Sequence, residues 1–508
     1  MNSRIKITGI LVAMLACVAM FNNPEKADHP NIVYILADDL GYGDVSVNNP
    51  AGKISTPHID QLAAEGIRFT DAHSPSSVCT PTRYSILTGR YPWRSRLPVG
   101  VLRGYSRTLI EENRPTVASL LKKHGYETGV VGKWHLGLDW VPKKEHEGLL
   151  STPGYGIKVD MNPDHVDFSQ NPKKGPNSAG FSYSFILPAS LDMPPYCYLE
   201  NHRLTHKLTG YTEGNALNTG YTGPFWRPGR VAEEFDFYDV LPTFIRQATG
   251  FIKRQTKTKP FFLYLPLPAP HTPWVPVENY KGKSKAGEYG DFVQQVDAAV
   301  GVVLKSLEDA GLKENTLVIF CSDNGPYWRE NHIEQFQHRA AGQFRGMKAD
   351  VFEGGHRVPF IVRWPKRVKP NTVSSATTTL ANLMATCQEL VGEKQLAFET
   401  EDSYSILSVL LGKAKQVKGQ PAVVHSSSVG SLAIRKGDWK LIEGRGSGGF
   451  TEPQVVAPKA GEPTGQLYNL ASDPGETQDL YQQYPERVKE LRELLIKIKE
   501  SKKKLLVN

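Results

Sequence analysis

Short apolar runs alternating with helical periodicities predict an α/β domain with a mostly parallel sheet, followed by a smaller α+β unit with an antiparallel sheet. Three observations carry this. First, Ile32-Val33-Tyr34-Ile35-Leu36, Gly129-Val130-Val131, Phe261-Phe262-Leu263-Tyr264-Leu265 and Leu317-Val318-Ile319-Phe320 are continuous rather than alternating, as in strands buried on both faces, and Phe360-Ile361-Val362 is a further candidate. Second, amphipathic helical patterns lie between these runs. Third, the pattern changes beyond about Val368, where hairpin signals replace buried runs.

Taken in order, Arg4 and Lys6 precede an apolar run from Ile7 to Phe21, the anatomy of a secretory signal over residues 1–23 and shorter than the ~20 apolar residues of a spanning helix. Cys17 follows Met14-Leu15-Ala16, which resembles a bacterial lipoprotein cleavage site. A lipid anchor at Cys17 and a plain cleaved signal are both open, and either implies a periplasmic or secreted protein. No other stretch is long and apolar enough to span a bilayer.

Residues 28–375 are expected to form the main domain. Within it Thr56-Pro57 opens a short helix through Ile59 and Leu62 that closes at Gly66, and Pro115 to His124 closes at Gly125 in the same way. From about Tyr289 to Leu312, Phe292, Val296, Val300, Val303 and Leu307 recur at helical steps. The stretch 143–235 is rich in Gly, Pro, Asn and Tyr with little periodicity, the mark of a functional surface more than a linker. In the smaller unit, 376–508, Ser431 to Arg435 and Trp439 to Ile442 flank Lys436-Gly437-Asp438 as a hairpin, and a charged amphipathic helix runs from about Pro485 to Leu506.

With 22% charged and 40% apolar residues in 508, the composition excludes collagen-like, coiled-coil and disordered classes, and five cysteines exclude a disulfide framework. Sixty basic against 52 acidic residues give +8, compatible with an acidic polysaccharide, an anionic membrane or no charged partner. A nucleic-acid partner is not expected, since no recognised motif or dense basic stripe is present.

Polar clusters follow the strands: Asp38-Asp39 after the first, Lys133-Trp134-His135 after the second, His271 after the third, Asp323-Asn324 after the fourth. Open α/β sheets bind ligands beyond the carboxyl ends of their strands, so these residues are expected around one pocket. Asp and Asn oxygens suit Ca²⁺ or Mg²⁺, while Lys133, His135, His271 and Lys348 suit an anionic substrate. A helix beginning near Cys79 would face an anion with its N-terminal amides and carry Arg83 on the same face.

Cys79-Thr80-Pro81-Thr82-Arg83 followed by Thr88-Gly89 resembles the signature of the type I sulfatases, whose cysteine is converted to formylglycine. The resemblance extends to Asp38-Asp39-Leu40-Gly41-Tyr42-Gly43-Asp44, Gly132-Lys133-Trp134-His135, Pro270-His271-Thr272-Pro273, Ser322-Asp323-Asn324-Gly325 and Arg345-Gly346-Met347-Lys348. It implies an alkaline-phosphatase-like sheet and a maturation partner, either a formylglycine-generating enzyme or a radical maturase. It implies that Asp38, Asp39, Asp323 and Asn324, with an oxygen of modified Cys79, bind Ca²⁺ ahead of Mg²⁺. Arg83 and Lys133 would hold the hydrated aldehyde, His271 and Lys348 would bind sulfate and assist the departing alcohol, and His135 would deprotonate the second hydroxyl.

The expected substrate is a sulfated galactan such as carrageenan or, alternatively, an N-acetylgalactosamine sulfate of a glycosaminoglycan. A formylglycine-dependent phosphonate or phosphodiester hydrolase and a non-catalytic binder of anionic polysaccharide are the other readings. His202 and Arg203 in the insertion, and Arg94 and Arg96 past the signature, are the candidate sugar contacts.

Overall fold

The computed structural model describes residues 29–152, 154–215, 222–393 and 401–501. The expected leader with Cys17 lies outside the described residues.

The main sheet takes ten strands: β1 Asn31–Ala37, β2 Ile67–Phe69, β3 Glu127–Lys133, β4 Tyr183–Leu187, β5 Leu199–Glu200, β6 Arg203–Leu204, β7 Phe261–Pro266, β8 Thr316–Ser322, β9 Phe360–Arg363 and β10 Thr372–Ser374. Their spatial order is β10-β2-β9-β8-β1-β7-β3-β4-β5-β6. The central five, β8-β1-β7-β3-β4, are parallel. Antiparallel pairings, β8 with β9 and β4 with β5, extend the sheet on either side. The continuous apolar runs have their explanation in β1, where Ile32, Tyr34 and Leu36 enter one core and Val33, Ile35 and Ala37 the other. A strand between two cores has no polar face to alternate with.

The main helices are α1 Pro57–Ala64, α2 Cys79–Thr88, α3 Val117–Lys123, α4 Val240–Lys253, α5 Gly287–Asp309, α6 Leu383–Leu390 and α7 Pro485–Glu500. Leu87 of α2, Leu120 of α3 and Met384 of α6 fill one core. Leu62 of α1, Phe244 of α4 and Val300 of α5 fill the other. Among the described residues no helix is long and apolar enough to cross a membrane.

Two expectations shift. The stretch 143–235 is not wholly irregular, because it supplies β4, β5 and β6 and so extends the sheet edge. Strands of two to five residues among Gly and Pro leave no periodic signal. Packing also places Ala376, Leu383, Cys387, Val409 and Val417 in the large core, beyond the boundary expected at 375.

Beyond them lies a separate antiparallel sheet of β11 Val423–Ser426, β12 Leu432–Lys436, β13 Trp439–Glu443 and β14 Gly465–Asn469. Lys436 pairs with Trp439, so the expected hairpin turns on Gly437-Asp438. Val488, Leu491 and Leu495 of α7 pack on Val424, Ile434, Leu441 and Leu467 of this sheet. The small sheet braces two loops of the large domain. Ser77 donates to the Ser426 carbonyl (2.9 Å), Ala349 to Ser77 (2.8 Å) and Ser428 to Ala349 (3.0 Å), joining the segments before Cys79 and after Lys348.

Candidate active site

The strand ends converge as the topology requires. Arg83 donates from Nε (3.0 Å) and Nη2 (2.8 Å) to Asp323 Oδ2 and from Nη1 to the Lys133 carbonyl (2.8 Å), tying α2 to the ends of β8 and β3. Lys133 Nζ meets Asp38 Oδ2 at 2.5 Å, and Lys348 Nζ meets Asp39 Oδ2 at 2.7 Å. Asn324 donates to Asp39 Oδ1 at 2.7 Å. Gly132, at φ 135°, lets β3 approach β7 beside Lys133, since a Cβ there would lie 2.0 Å from the Pro266 carbonyl oxygen.

Cys79 is the first residue of α2, a helix with all ten residues buried although half are polar. The polar side chains are consumed locally: Thr80 bonds the His135 carbonyl (3.0 Å), Thr82 the Ser76 carbonyl (2.9 Å) and Thr88 the Tyr84 carbonyl (2.7 Å). Left over are Arg83, which reaches Asp323, and Cys79 itself, whose Sγ lies beside the Asp38 and Asp323 carboxylates. Burial pushes its thiol up to about 11 against the pull of Lys133 and Lys348, so it stands as a neutral thiol.

Three carboxylates, Asp38, Asp39 and Asp323, face three fixed cations, Arg83, Lys133 and Lys348, all buried. The balance is uneven within the cluster. Burial and the Asp38 charge raise Asp323 to about 7, despite Arg83, while Lys133, His271 and Arg83 hold Asp38 well below the usual carboxylate range against its burial. Asp38 Oδ1 and Asn324 Oδ1 are buried with no hydrogen-bond partner. Buried acceptors are rarely left so. Asp38 lies within ligand distance of Cys79 and Asp323 on one side and of Asp39 and His271 on the other, and these hard oxygens suit a divalent cation of the Ca²⁺ or Mg²⁺ type.

His135 and His271 differ in what their nitrogens do. His135 Nε2 bonds the Leu102 carbonyl (2.8 Å), so Nε2 carries the proton, while Nδ1 is buried without a partner. Burial, Lys133 and Arg83 hold it well below the usual imidazole range, so Nδ1 is a free base at neutral pH. His271 Nδ1 meets the Thr272 carbonyl at 2.5 Å and Ser190 Oγ at 3.3 Å, and Nε2 lies 3.6 Å from Asp39 Oδ2. Burial and Lys348 hold this ring too below the usual imidazole range, against the Asp39 and Asp38 charges.

Ser190, also 3.2 Å from Lys133 Nζ, and buried Asp192 were missed in the sequence. Both follow β4, whose run Phe185-Ile186-Leu187 was the available signal inside the stretch read as irregular.

Of the four candidate sugar contacts, Arg94 is bonded elsewhere and His202 and Arg203 stand on another part of the sheet edge. Arg94 is committed to Asp402 by two bonds of 2.6 and 2.8 Å and to the Ile498 carbonyl at the end of α7 (2.9 Å). Arg96 is exposed. His202 and Arg203 stand at the β5–β6 turn. Asn201 donates to the Ser184 carbonyl (2.9 Å), which puts that turn beside the start of β4, whereas Lys133 pairs with Leu187 at its end.

Comparison with known proteins agrees with this geometry. The Sulfatase family model matches residues 30–393. An N-acetylgalactosamine-6-O-sulfatase of Bacteroides thetaiotaomicron is 34% identical, with 94% of each chain covered. A solved B. thetaiotaomicron protein, from work on the metabolism of multiple glycosaminoglycans, superposes with a TM-score of 0.78 at 32% identity, covering 93% of this chain and 100% of that one. Ps i-CgsB in complex with k-i-k-neocarrahexaose shares the fold, with a TM-score of 0.65 at 23% identity over 92% of this chain and 93% of that one.

Proposed function

The chain belongs to the sulfatase family, whose members are sulfuric ester hydrolases, and from that premise we propose that it removes sulfate monoesters from galacto-configured sugars outside the cytoplasm. A sulfated galactan such as carrageenan and an N-acetylgalactosamine 6-sulfate both belong to this class, and the 34% identical relative favours trying the second alongside the first. The observation that carries the reading is the placement of Cys79 at a buried helix N-terminus against three carboxylates and three cations.

Converted to formylglycine by a generating enzyme or radical maturase, position 79 supplies a hydroxyl of the hydrated aldehyde as nucleophile toward sulfur. Asp38, Asp39, Asp323 and Asn324 would hold Ca²⁺, which supplies positive charge to the sulfate oxygens. Arg83 and Lys133 fix the position-79 side chain and neutralise charge as it builds. Lys348 and His271 lie on the Asp39 side, where they bind sulfate, and His271, once protonated on both nitrogens, gives its Nε2 proton to the departing sugar oxygen. His135 Nδ1 takes the proton of the second hydroxyl, which allows sulfate to leave without water attacking sulfur again. These cations act where charge develops, which lowers the barrier more than it strengthens ground-state binding.

The test is sulfate release from carrageenans, other sulfated galactans and glycosaminoglycan oligosaccharides, with product linkage read by NMR and residue 79 read by mass spectrometry. Faster turnover of an aryl phosphodiester than of an aryl sulfate would replace this reading with the diesterase one. A matured protein that releases no sulfate from any glycan would leave a polysaccharide binder.

A further inference from the structure

We propose that Asp192 is the positioning residue of His271, held in turn by Arg227, so that the insertion supplies part of the leaving-group machinery; the proposal rests on the sulfatase reading above. Asp192 lies five residues past the end of β4 and is fully buried. Its carboxylate is divided between two partners. Oδ2 pairs with the Arg227 guanidinium, and Oδ1 lies 3.9 Å from His271 Nδ1.

Arg227 is itself fixed. Its amide donates to the Asp192 carbonyl (3.2 Å), its carbonyl accepts from the Tyr196 hydroxyl (2.7 Å), and its guanidinium lies 5.3 Å from the centre of the Phe225 ring. The Ser190 hydroxyl and the His271 imidazole stand on the other side of the carboxylate, so Asp192 acts on the imidazole as well as on Arg227.

That action follows from the two edges of the ring. Nε2 faces Asp39, and hence the sulfate side. Nδ1 faces the Thr272 carbonyl, Ser190 and Asp192. A fixed anion behind Nδ1 keeps a proton on that nitrogen and sets the ring plane, as carboxylates do behind catalytic and metal-binding histidines. At 3.9 Å the contact is electrostatic rather than a hydrogen bond, and Ser190 stands between the two groups. In the step served, the bond from sulfur to the sugar oxygen breaks, its electron pair stays on that oxygen, and the oxygen takes the proton from Nε2. The ring enters this step protonated on both nitrogens, having taken a proton from solvent at Nε2, and leaves it neutral with its proton on Nδ1, while sulfur keeps the oxygen donated by position 79.

The experiment compares wild type, Asp192→Asn and Arg227→Ala on phenyl sulfates of graded leaving-group acidity and on a sulfated galactoside. A nitrophenolate departs without a proton, whereas a sugar alkoxide does not. The Asp192→Asn loss in kcat should therefore grow from about 3-fold on 4-nitrophenyl sulfate to at least about 30-fold on the sugar ester, with KM within about 2-fold. Arg227→Ala should show the same trend at smaller amplitude.

In a His271→Ala background the Asp192→Asn change should cost less than about 2-fold, because the two act as a unit. A loss of equal size along the whole series, or one that persists at full size without His271, overturns the proposal. Wild-type sulfate release and the mass of residue 79 measure the sulfatase reading separately, so either can fail without the other.

Discussion

Two buried clusters of the molecule each set three carboxylates against three cations. At the strand ends Asp38, Asp39 and Asp323 face Arg83, Lys133 and Lys348. Behind them, where the two sheets meet, Asp71, Glu353 and Glu476 face Arg357, Arg435 and Lys440. In the second cluster the charges are spent on one another. Arg435 reaches Asp71 at 3.1 Å, Arg357 reaches Glu353 at 2.7 Å, and Lys440 reaches Glu353 (3.1 Å) and Glu476 (2.8 Å). In the first, Asp38 Oδ1, Asn324 Oδ1 and His135 Nδ1 have no hydrogen-bond partner beside a helix N-terminus, and in the second the same holds for Glu476 Oε1, apart from its ion pair with Lys440, and for both nitrogens of His425. The difference lies in kind: the first cluster leaves hard oxygens open beside Cys79, and the second leaves an imidazole open between the two sheets.

The second cluster also contains His73, His356 and His425, close enough to hold a metal ion. Their hydrogen bonds argue against one. Lys440 can only donate, so His356 Nε2 accepts from it at 3.0 Å, and His356 Nδ1 then donates to His73 Nδ1 at 3.0 Å. His73 Nε2 in turn donates to Asp71 at 2.7 Å. Each of these two rings has its lone pair already occupied. His425, stacked on His356 with ring centres 3.4 Å apart, is left as a lone donor.

The largest expected effect separates the clusters outright. Cys79→Ala should lower sulfate release at least ~10⁴-fold, as loss of a nucleophile does, while unfolding free energy moves by about 1 kcal/mol or less. Urea unfolding beside turnover reads both, and retained activity would remove Cys79 from the chemistry. Lys440→Met should do the reverse. It takes from Glu476 its paired cation and from Glu353 one of three, so stability should fall by about 3 kcal/mol while kcat per folded molecule stays within about 3-fold. A stable but inactive variant would show that the second cluster serves catalysis.

Metal sharpens the contrast next. Ca²⁺ at about 100 times its Kd should stabilise the chelated protein by about 2.7 kcal/mol and restore its turnover. Asp323→Asn should weaken that response, whereas His425→Ala should leave it intact and titration with Zn²⁺ should find no site at the histidines. Heat evolved on Zn²⁺ addition that vanishes in His425→Ala would refute the hydrogen-bonded reading.

Acid should act on the second cluster with a definite sign. Burial holds His73, His356 and His425 below the ordinary imidazole value, so the unfolded chain binds protons there first. Their stabilising share is complete above pH about 6.5 and is lost as pH falls from there toward the depressed folded values, by up to about 1.4 kcal/mol per pH unit for each histidine. His425→Phe should flatten the slope of urea midpoint against pH by about one such share. An unchanged slope would mean that His425 does not titrate in this window.

Much of the first cluster was legible because Asp38, Asp39, Lys133, His271 and Asp323 stand at or just past strand ends and Cys79 opens a helix. Apolar runs mark those strands in the chain, whereas Lys348 lies in a loop that no such run marks. Asp38, Lys133 and Asp323 needed only β1, β3 and β8 to be found. Ser190 and Asp192 were hidden because β4 lies in a stretch whose Gly and Pro content masks its five residues. The second cluster left no sequence signal, since Asp71, Glu353 and Lys440 meet only when β11 to β14 dock on the large domain. Within that stretch His202 is half-buried and only Arg203 of the basic pair is exposed, so the chemistry of the pair alone does not place it.

That pair carries the smallest effect. The turn after β5 lies beside Ser184, three residues before Leu187, the partner of Lys133. At about 3.3 Å per residue it is set back by about 10 Å along the sheet, and it lies on the far side of β4 from β3. The φ values of Asn201 and His202, 46° and 73°, are those of a two-residue hairpin turn, so both residues are explained by the backbone they make. Arg203→Ala should therefore change kcat/KM on a sulfated oligosaccharide by less than about 2-fold, below about 0.4 kcal/mol. A tenfold loss confined to longer oligosaccharides would instead mean that the glycan wraps the sheet edge, adding a third charged region that the two-cluster contrast leaves out.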